Sequence, residues 1–115
     1  MIKIYHNPRC SKSRETLELL KEKGQEVDVV EYLKTPPTAV ELKQLLQWLN
    51  ISARQLLRTK EDEYKALGLD NEALSEQQLI DAMAAHPKLI ERPIVVNGNK
   101  AAIGRPATNV LNILS

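Results

Sequence analysis

The chain has a single cysteine, no phenylalanine and only four aromatic side chains, Tyr5, Tyr32, Trp48 and Tyr64, in 115 residues. One cysteine excludes an internal disulfide and fits a reducing, cytoplasmic setting. So few aromatics leave no platform for stacking nucleic-acid bases. Charge of one sign is also missing. With 16 basic and 15 acidic side chains the net charge is +1, which gives no bulk attraction to a polyanion. No apolar run approaches the roughly 20 residues that cross a bilayer, and Met1–His6 lacks the apolar stretch of a signal peptide. These absences predict a soluble cytoplasmic protein with neither a nucleic-acid nor a membrane partner. What remains is a 43% hydrophobic share, enough for a real core, in a chain of single-domain length.

The one cysteine lies in the stretch His6-Asn7-Pro8-Arg9-Cys10-Ser11-Lys12-Ser13-Arg14. Before it, Ile2, Ile4 and Tyr5 read as a strand, which Pro8 cannot continue. After it, residues 16–23 read as a helix. A thiol at a helix start faces backbone N–H groups that have no partner within the helix, and the positive end of its dipole. Both favour the thiolate, and Arg9, Lys12 and Arg14 lie within four residues. A lone intracellular cysteine is ordinarily a small buried hydrophobe. Neighbours of the type Arg, Ser, Lys, Ser and Arg do not read as core, so a reactive cysteine is expected.

The helix after Cys10 buries Leu17 and Leu20, with Leu19 beside them, and Gly24 ends it. Residues 27–32 form a second strand, closing a βαβ unit with parallel strands. Thr38 and Glu41 make a capping box ahead of Val40, Leu42, Leu45, Leu46 and Leu49, which follow helical spacing. Ser52 is set to cap a short helix carrying Leu56, Leu57 and Arg58. A further turn over residues 61–67 closes at Gly68, and Ser75 with Gln78 caps a helix that ends at His86-Pro87. Residues 38–87 thus read as a helical insert within one domain spanning residues 1–115. Ile94-Val95-Val96 and residues 100–103, joined through Asn97-Gly98, predict a hairpin. Gly104-Arg105-Pro106 leads into a terminal helix. The order βαβ, helical insert, ββα predicts a thioredoxin-like α/β fold with a four-stranded mixed sheet.

In that topology Pro93 opens the third strand beside the cysteine, at the position that thioredoxin-like proteins carry in cis. Arg92 and Arg105 would then arrive at the sulfur. Pattern alone leaves both open between that role and an exposed side chain. Arg58, after two leucines at a helical turn, reads as surface.

The segments Tyr5–Leu17, Leu56–Arg58, Gln78–Val96 and Gly104–Leu114 closely resemble the glutaredoxin-dependent arsenate reductases of the thioredoxin superfamily. The resemblance runs over nearly the whole chain. It implies that Cys10 is the nucleophile, that His6 activates it, and that Arg58, Arg92 and Arg105 bind the oxyanion. Ser13, Arg14 and Pro93 are expected to support the site. It further implies no bound cofactor, arsenate as substrate, glutathione as co-substrate and glutaredoxin as partner. Arsenate would enter a basic pocket, the Cys10 thiolate would attack arsenic, glutathione would attack the adduct, and glutaredoxin would clear the mixed disulfide.

Other classes fit less well. A related branch of regulators that contact RNA polymerase often carries a C-x-x-C switch; here the second position is Ser13, although a non-enzymatic regulatory role on the same fold stays open. A C-x5-R phosphatase loop is absent, since Arg14 lies four residues after Cys10 and Thr16 six. His6, Cys10 and His86 show no zinc-like spacing, so no metal is expected.

Overall fold

A computed structural model describes residues 1–114. It divides into two compact units, one formed by Met1–Thr35 with the chain from Arg92 onward, the other by Pro36–Glu91.

The first unit is the sheet unit. Strands β1 (Ile2–His6), β2 (Val27–Glu31), β3 (Ile94–Asn97) and β4 (Lys100–Ile103) form one mixed sheet in the order β2-β1-β3-β4. β1 pairs in parallel with β2 and antiparallel with β3, and β3 pairs antiparallel with β4. This is the thioredoxin-like arrangement that the element order predicts. Ile2 and Ile4 on one face of β1 join Val95, Leu20, Val110 and Ile113 in a buried core. Their alternation follows from the period of two along a strand. Helix α1 (Ser11–Glu22) fully buries Ser13, Thr16 and Leu20, while Leu17 and Leu19 are partly buried against the same core. It ends in a Schellman motif: Gly24 at φ +73° donates to Lys21 O and Gln25 donates to Leu20 O.

Two local expectations are corrected here. The hairpin turn consists of Gly98 and Asn99, not Asn97 and Gly98: Asn97 stays in β3, paired with Lys100. Gly98 supplies positive φ (+65°) at the first central position, as a two-residue type II′ turn needs. Asn97 instead turns its side-chain amide to Ile113 O at 2.6 Å. The terminal helix, Ala107–Ile113, is a 3-10 helix. In an α-helix starting at Ala107 the Pro106 carbonyl would take the Val110 N–H; here it takes the Asn109 N–H, an i→i−3 bond, while the Asn109 side chain bonds Arg105 O.

The second unit is helical: α2 (Ala39–Leu49), α3 (Ala53–Leu56), α4 (Asp62–Ala66), α5 (Glu76–Ala85) and a 3-10 turn (Pro87–Leu89). Thr38 with Glu41, Ser52 with Gln55 and Ser75 with Gln78 all form capping boxes. Val40 departs from its expected inward place and is 78% exposed. It lies two residues before Leu42, about 200° round the helix from the buried stripe. The helix capped by Ser52 stops at Leu56. Leu57 turns extended and bridges Ile90, with Arg58 N–H bonded to Leu89 O and Glu91 N–H to Leu56 O. No helix among the described residues is long and apolar enough to cross a membrane.

Candidate active site

The loop between β1 and α1 is built by Asn7. Its carbonyl accepts from Cys10 N–H at 3.0 Å and its side-chain oxygen from Arg9 N–H at 3.0 Å, an Asx turn. Its own N–H donates to Ser13 Oγ at 3.0 Å. Arg14 closes the loop from outside by donating to Pro8 O at 2.9 Å. Cys10 therefore occupies the N-cap position of α1, with extended backbone and only 9% exposure.

The sulfur sits where residues with oxygen side chains ordinarily accept the first-turn N–H groups. It does not reach strict hydrogen-bond geometry with them, yet the N–H groups of Ser13 and Lys12 face it closely enough to favour its anion. Burial pushes the thiol pKa up. The Ser13 N–H, the Arg92 charge, the Lys12 N–H and a hydrogen bond from Arg92 oppose it, and the pKa ends below its ordinary value.

Arg92 precedes β3 and Arg105 follows β4, which places both at the open end of the hairpin. The Arg92–Pro93 bond is cis, as expected, and Arg105–Pro106 is also cis. Arg105 Nη2 lies 3.8 Å from Cys10 Sγ, while its Nε donates to Arg92 O at 2.9 Å. The structure therefore brings Cys10, Arg92 and Arg105 together. Arg58 lies in the helical unit, where its guanidinium pairs with Glu61 at 2.7 Å and its Nη1 is 3.5 Å from Lys88 O.

His6 is buried and bonds Ser13 Oγ through Nδ1 at 2.7 Å. It thus meets the sulfur's environment through Ser13, whose N–H faces Cys10. Burial lowers the His6 pKa; Glu31 raises it, while Arg14 and Lys21 lower it further. The neutral ring can accept the Ser13 hydroxyl proton, leaving a Ser13 oxygen lone pair for Asn7 N–H.

Sequence reasoning missed Gly104, Thr16 and Asn109. Gly104 N–H donates to Pro93 O at 2.9 Å, and a Cβ there would fall 2.8 Å from Pro93 Cγ and closer still to Thr16 Oγ1. Thr16 is fully buried and donates to Lys12 O at 2.8 Å. Only a residue without a side chain allows α1, the cis proline and the end of β4 to meet so closely. The Gly-Arg-Pro run was the available signal, but its partner Thr16 is 88 positions away. Among the described residues no cluster of histidine, cysteine and carboxylates suits a metal ion. A cleft of about 530 Å³ in the helical unit, beside Lys43, Gln47, Ser52 and Glu76, is lined by neither cysteine nor arginine.

A cysteine whose anion is favoured by N–H donors and flanked by two guanidiniums can attack an oxyanion and hold it while it reacts. Known proteins match this chain over nearly its whole length. An Escherichia coli K12 protein called uncharacterized protein YfgD is 60% identical, covering 98% of this chain and 96% of that one. A protein named arsenate reductase from Neisseria meningitidis is 54% identical, covering 98% and 97%. A solved structure titled arsenate reductase from Vibrio cholerae superposes with a TM-score of 0.96 at 53% identity, covering 98% and 97%. Residues 5–113 match the ArsC family profile, a span that includes Cys10, Arg58, Arg92 and Arg105, and the chain belongs to that family.

Proposed function

We propose that the chain is an arsenate reductase that uses Cys10 as nucleophile and draws its electrons from glutathione, with glutaredoxin completing the cycle in a reducing cytoplasm. The observation that carries this is the Cys10 sulfur set against the α1 N-terminus, Arg92 and Arg105 in a chain with no second cysteine. Relatives named arsenate reductase at 54% identity supply the substrate. Arg58 joins as a third oxyanion-binding arginine on the family resemblance alone.

The steps balance as follows. The Cys10 thiolate forms a sulfur–arsenic bond and one arsenate oxygen leaves as water after protonation. A glutathione thiolate then attacks the Cys10 sulfur. The new disulfide takes the place of the sulfur–arsenic bond, whose electron pair stays on arsenic and converts it from As(V) to As(III). Arsenite departs, and a second thiol, from glutaredoxin, releases Cys10 by thiol–disulfide exchange. Two thiols are oxidised for each arsenate reduced. Arg9 and Lys12 flank Cys10 in the sequence with exposed side chains, cations within reach of the carboxylates of glutathione.

The test is a trap. Protein, arsenate and glutathione without glutaredoxin should accumulate a mixed disulfide at Cys10, read by intact mass. Adding glutaredoxin, glutathione reductase and NADPH should restore turnover and arsenite release. Full turnover on a reductant that contains no thiol would sink the reading.

A further inference from the structure

We infer that Asn109 is a positioning residue for the oxyanion site, holding the Arg105 loop in the shape that presents its guanidinium to the Cys10 sulfur. This rests on the reading of Arg105 as an oxyanion ligand and adds the residue that sets its place.

Arg105 is solvent-exposed, on a loop between β4 and the terminal 3-10 helix. A long exposed arginine retains most of its rotamer freedom unless its backbone and stem are both tethered. The stem tether is Nε donating to Arg92 O. The Arg105 N–H bonds Ile103 O at 2.9 Å, and the Asn109 carboxamide is the side chain that tethers the backbone. Its Nδ2 donates to Arg105 O at 3.0 Å and to Ile103 O at 3.3 Å, spanning the loop from both ends of the Gly104–Arg105 step. Both protons of one amide are used, and both acceptors are main-chain carbonyls that flank the arginine. Gly104 seats the loop on the other side, against Thr16 and Pro93. The loop is thus held by contact from within, by the main-chain bonds of Gly104 and Arg105, and by one side chain from without. Burial, the α1 N–H groups and Arg92 act most on the thiol's ionisation, and Asn109 bonds none of them. Affinity for the oxyanion and ionisation of the thiol should therefore separate on substitution.

The experiment measures how well arsenate, without any added thiol, protects Cys10 from iodoacetamide, alongside the pH at which alkylation is half-maximal. Asn109→Ala should raise the half-protecting arsenate concentration roughly 5- to 20-fold, the worth of two partly exposed neutral hydrogen bonds. The alkylation midpoint should stay in place. Asn109→Asp keeps the shape but offers carboxylate oxygens to two carbonyls, so it should weaken protection at least as much. In the Arg105→Ala background Asn109→Ala should add less than about twofold, because the group it positions is gone. Weakening by Arg105→Ala with protection intact in Asn109→Ala or Asn109→Asp overturns the inference and leaves the proposed function standing. Equal losses from Asn109→Ala in both backgrounds also overturn it. Unchanged protection in Arg105→Ala overturns both this inference and the oxyanion role of Arg105.

Discussion

Replacing Gly104 with alanine tests how the site is assembled. The added Cβ would meet Pro93 Cγ at 2.8 Å and Thr16 Oγ1 closer still, with Thr16 Cγ2 at 3.0 Å. Real Cβ atoms do not sit that close to ring or β-branched atoms, and neither neighbour can swing away. Thr16 is fully buried with its hydroxyl bonded to Lys12 O, and Pro93 is a ring held between Arg92 and β3. Overpacking of this kind costs about 1–3 kcal/mol. The strain falls one residue before Arg105, so a displacement of a few tenths of an ångström at the guanidinium should lower kcat/KM by about 10-fold or more. Urea unfolding measures the first quantity, with an unchanged m-value as the control. Steady-state arsenate reduction measures the second. Thr16→Ala removes two of the three close atoms, leaving Pro93 Cγ, and costs about 1 kcal/mol alone, for the lost hydroxyl bond. The double variant should therefore be more stable than the sum of the two singles by at least about 1 kcal/mol. Additive effects, or a Gly104→Ala protein within about 0.5 kcal/mol of the parent and fully active, would refute the close-approach argument.

Three further outcomes are expected. Cys10→Ser should abolish arsenate reduction with an unchanged circular dichroism spectrum, because a serine hydroxyl keeps its proton and cannot be oxidised to a disulfide; turnover above a few per cent would remove Cys10 as nucleophile. Arg92→Ala should shift the alkylation midpoint of Cys10 to higher pH, since burial would then act against fewer opposing groups, and Arg92→Lys should recover part of the shift. An unmoved midpoint would place the thiol's ionisation elsewhere. For His6 the folded pKa lies below the unfolded value of about 6.5. The unfolded chain therefore binds the proton first, and the His6 contribution to stability is complete above that value and lost as pH falls through the folded pKa. The urea midpoint of the parent should fall through that window, and His6→Gln should flatten the fall. Parallel curves would show that another group titrates there.

What could be read in the sequence was what depends on neighbours in the sequence. The boxes led by Thr38 and Ser75 were legible because a cap and its partner lie three residues apart and the chemistry is complete within one turn. The cysteine loop was legible for the same reason, since proline, cysteine and the helix start form one continuous run. Pro93 could be placed beside Cys10 because strand order and the βαβ rule leave few ways to close a four-stranded mixed sheet. The misses are contacts whose partners lie far apart or compete. Nothing near Gly104 in the sequence reveals Thr16 as its neighbour. The terminal segment has apolar spacing suited to an α-helix, but its first turn closes by an i→i−3 bond from Asn109 N–H to Pro106 O. His6 was matched to the cysteine through family resemblance, whereas its hydrogen bond goes to Ser13. No sequence spacing states which of two nearby groups a ring nitrogen will choose.

The arginines and helix N–H groups, more than the acidity of the thiol, should account for the rate. A free thiol of pKa about 8.5 is roughly 3% ionised at pH 7. For any such thiol a fall of about two units multiplies the thiolate fraction by about 25. Nucleophilicity falls with a Brønsted slope of about 0.4–0.5, which takes back roughly 8-fold and leaves about threefold. Fixed donors aimed at a bound oxyanion can contribute several kcal/mol, about a factor of ten for every 1.4 kcal/mol. The same groups that lower the Cys10 pKa, the Ser13 and Lys12 N–H and Arg92, are donors that a bound oxyanion can share. Their effect on the free thiol therefore reports donors in place before substrate arrives rather than the main source of acceleration. On that division, Gly104 seated against Thr16 and Pro93 and Asn109 bonded to the loop carbonyls bear on the rate through the placing of Arg105. It also means that substitutions which leave thiol reactivity intact can still be among the most damaging to arsenate reduction.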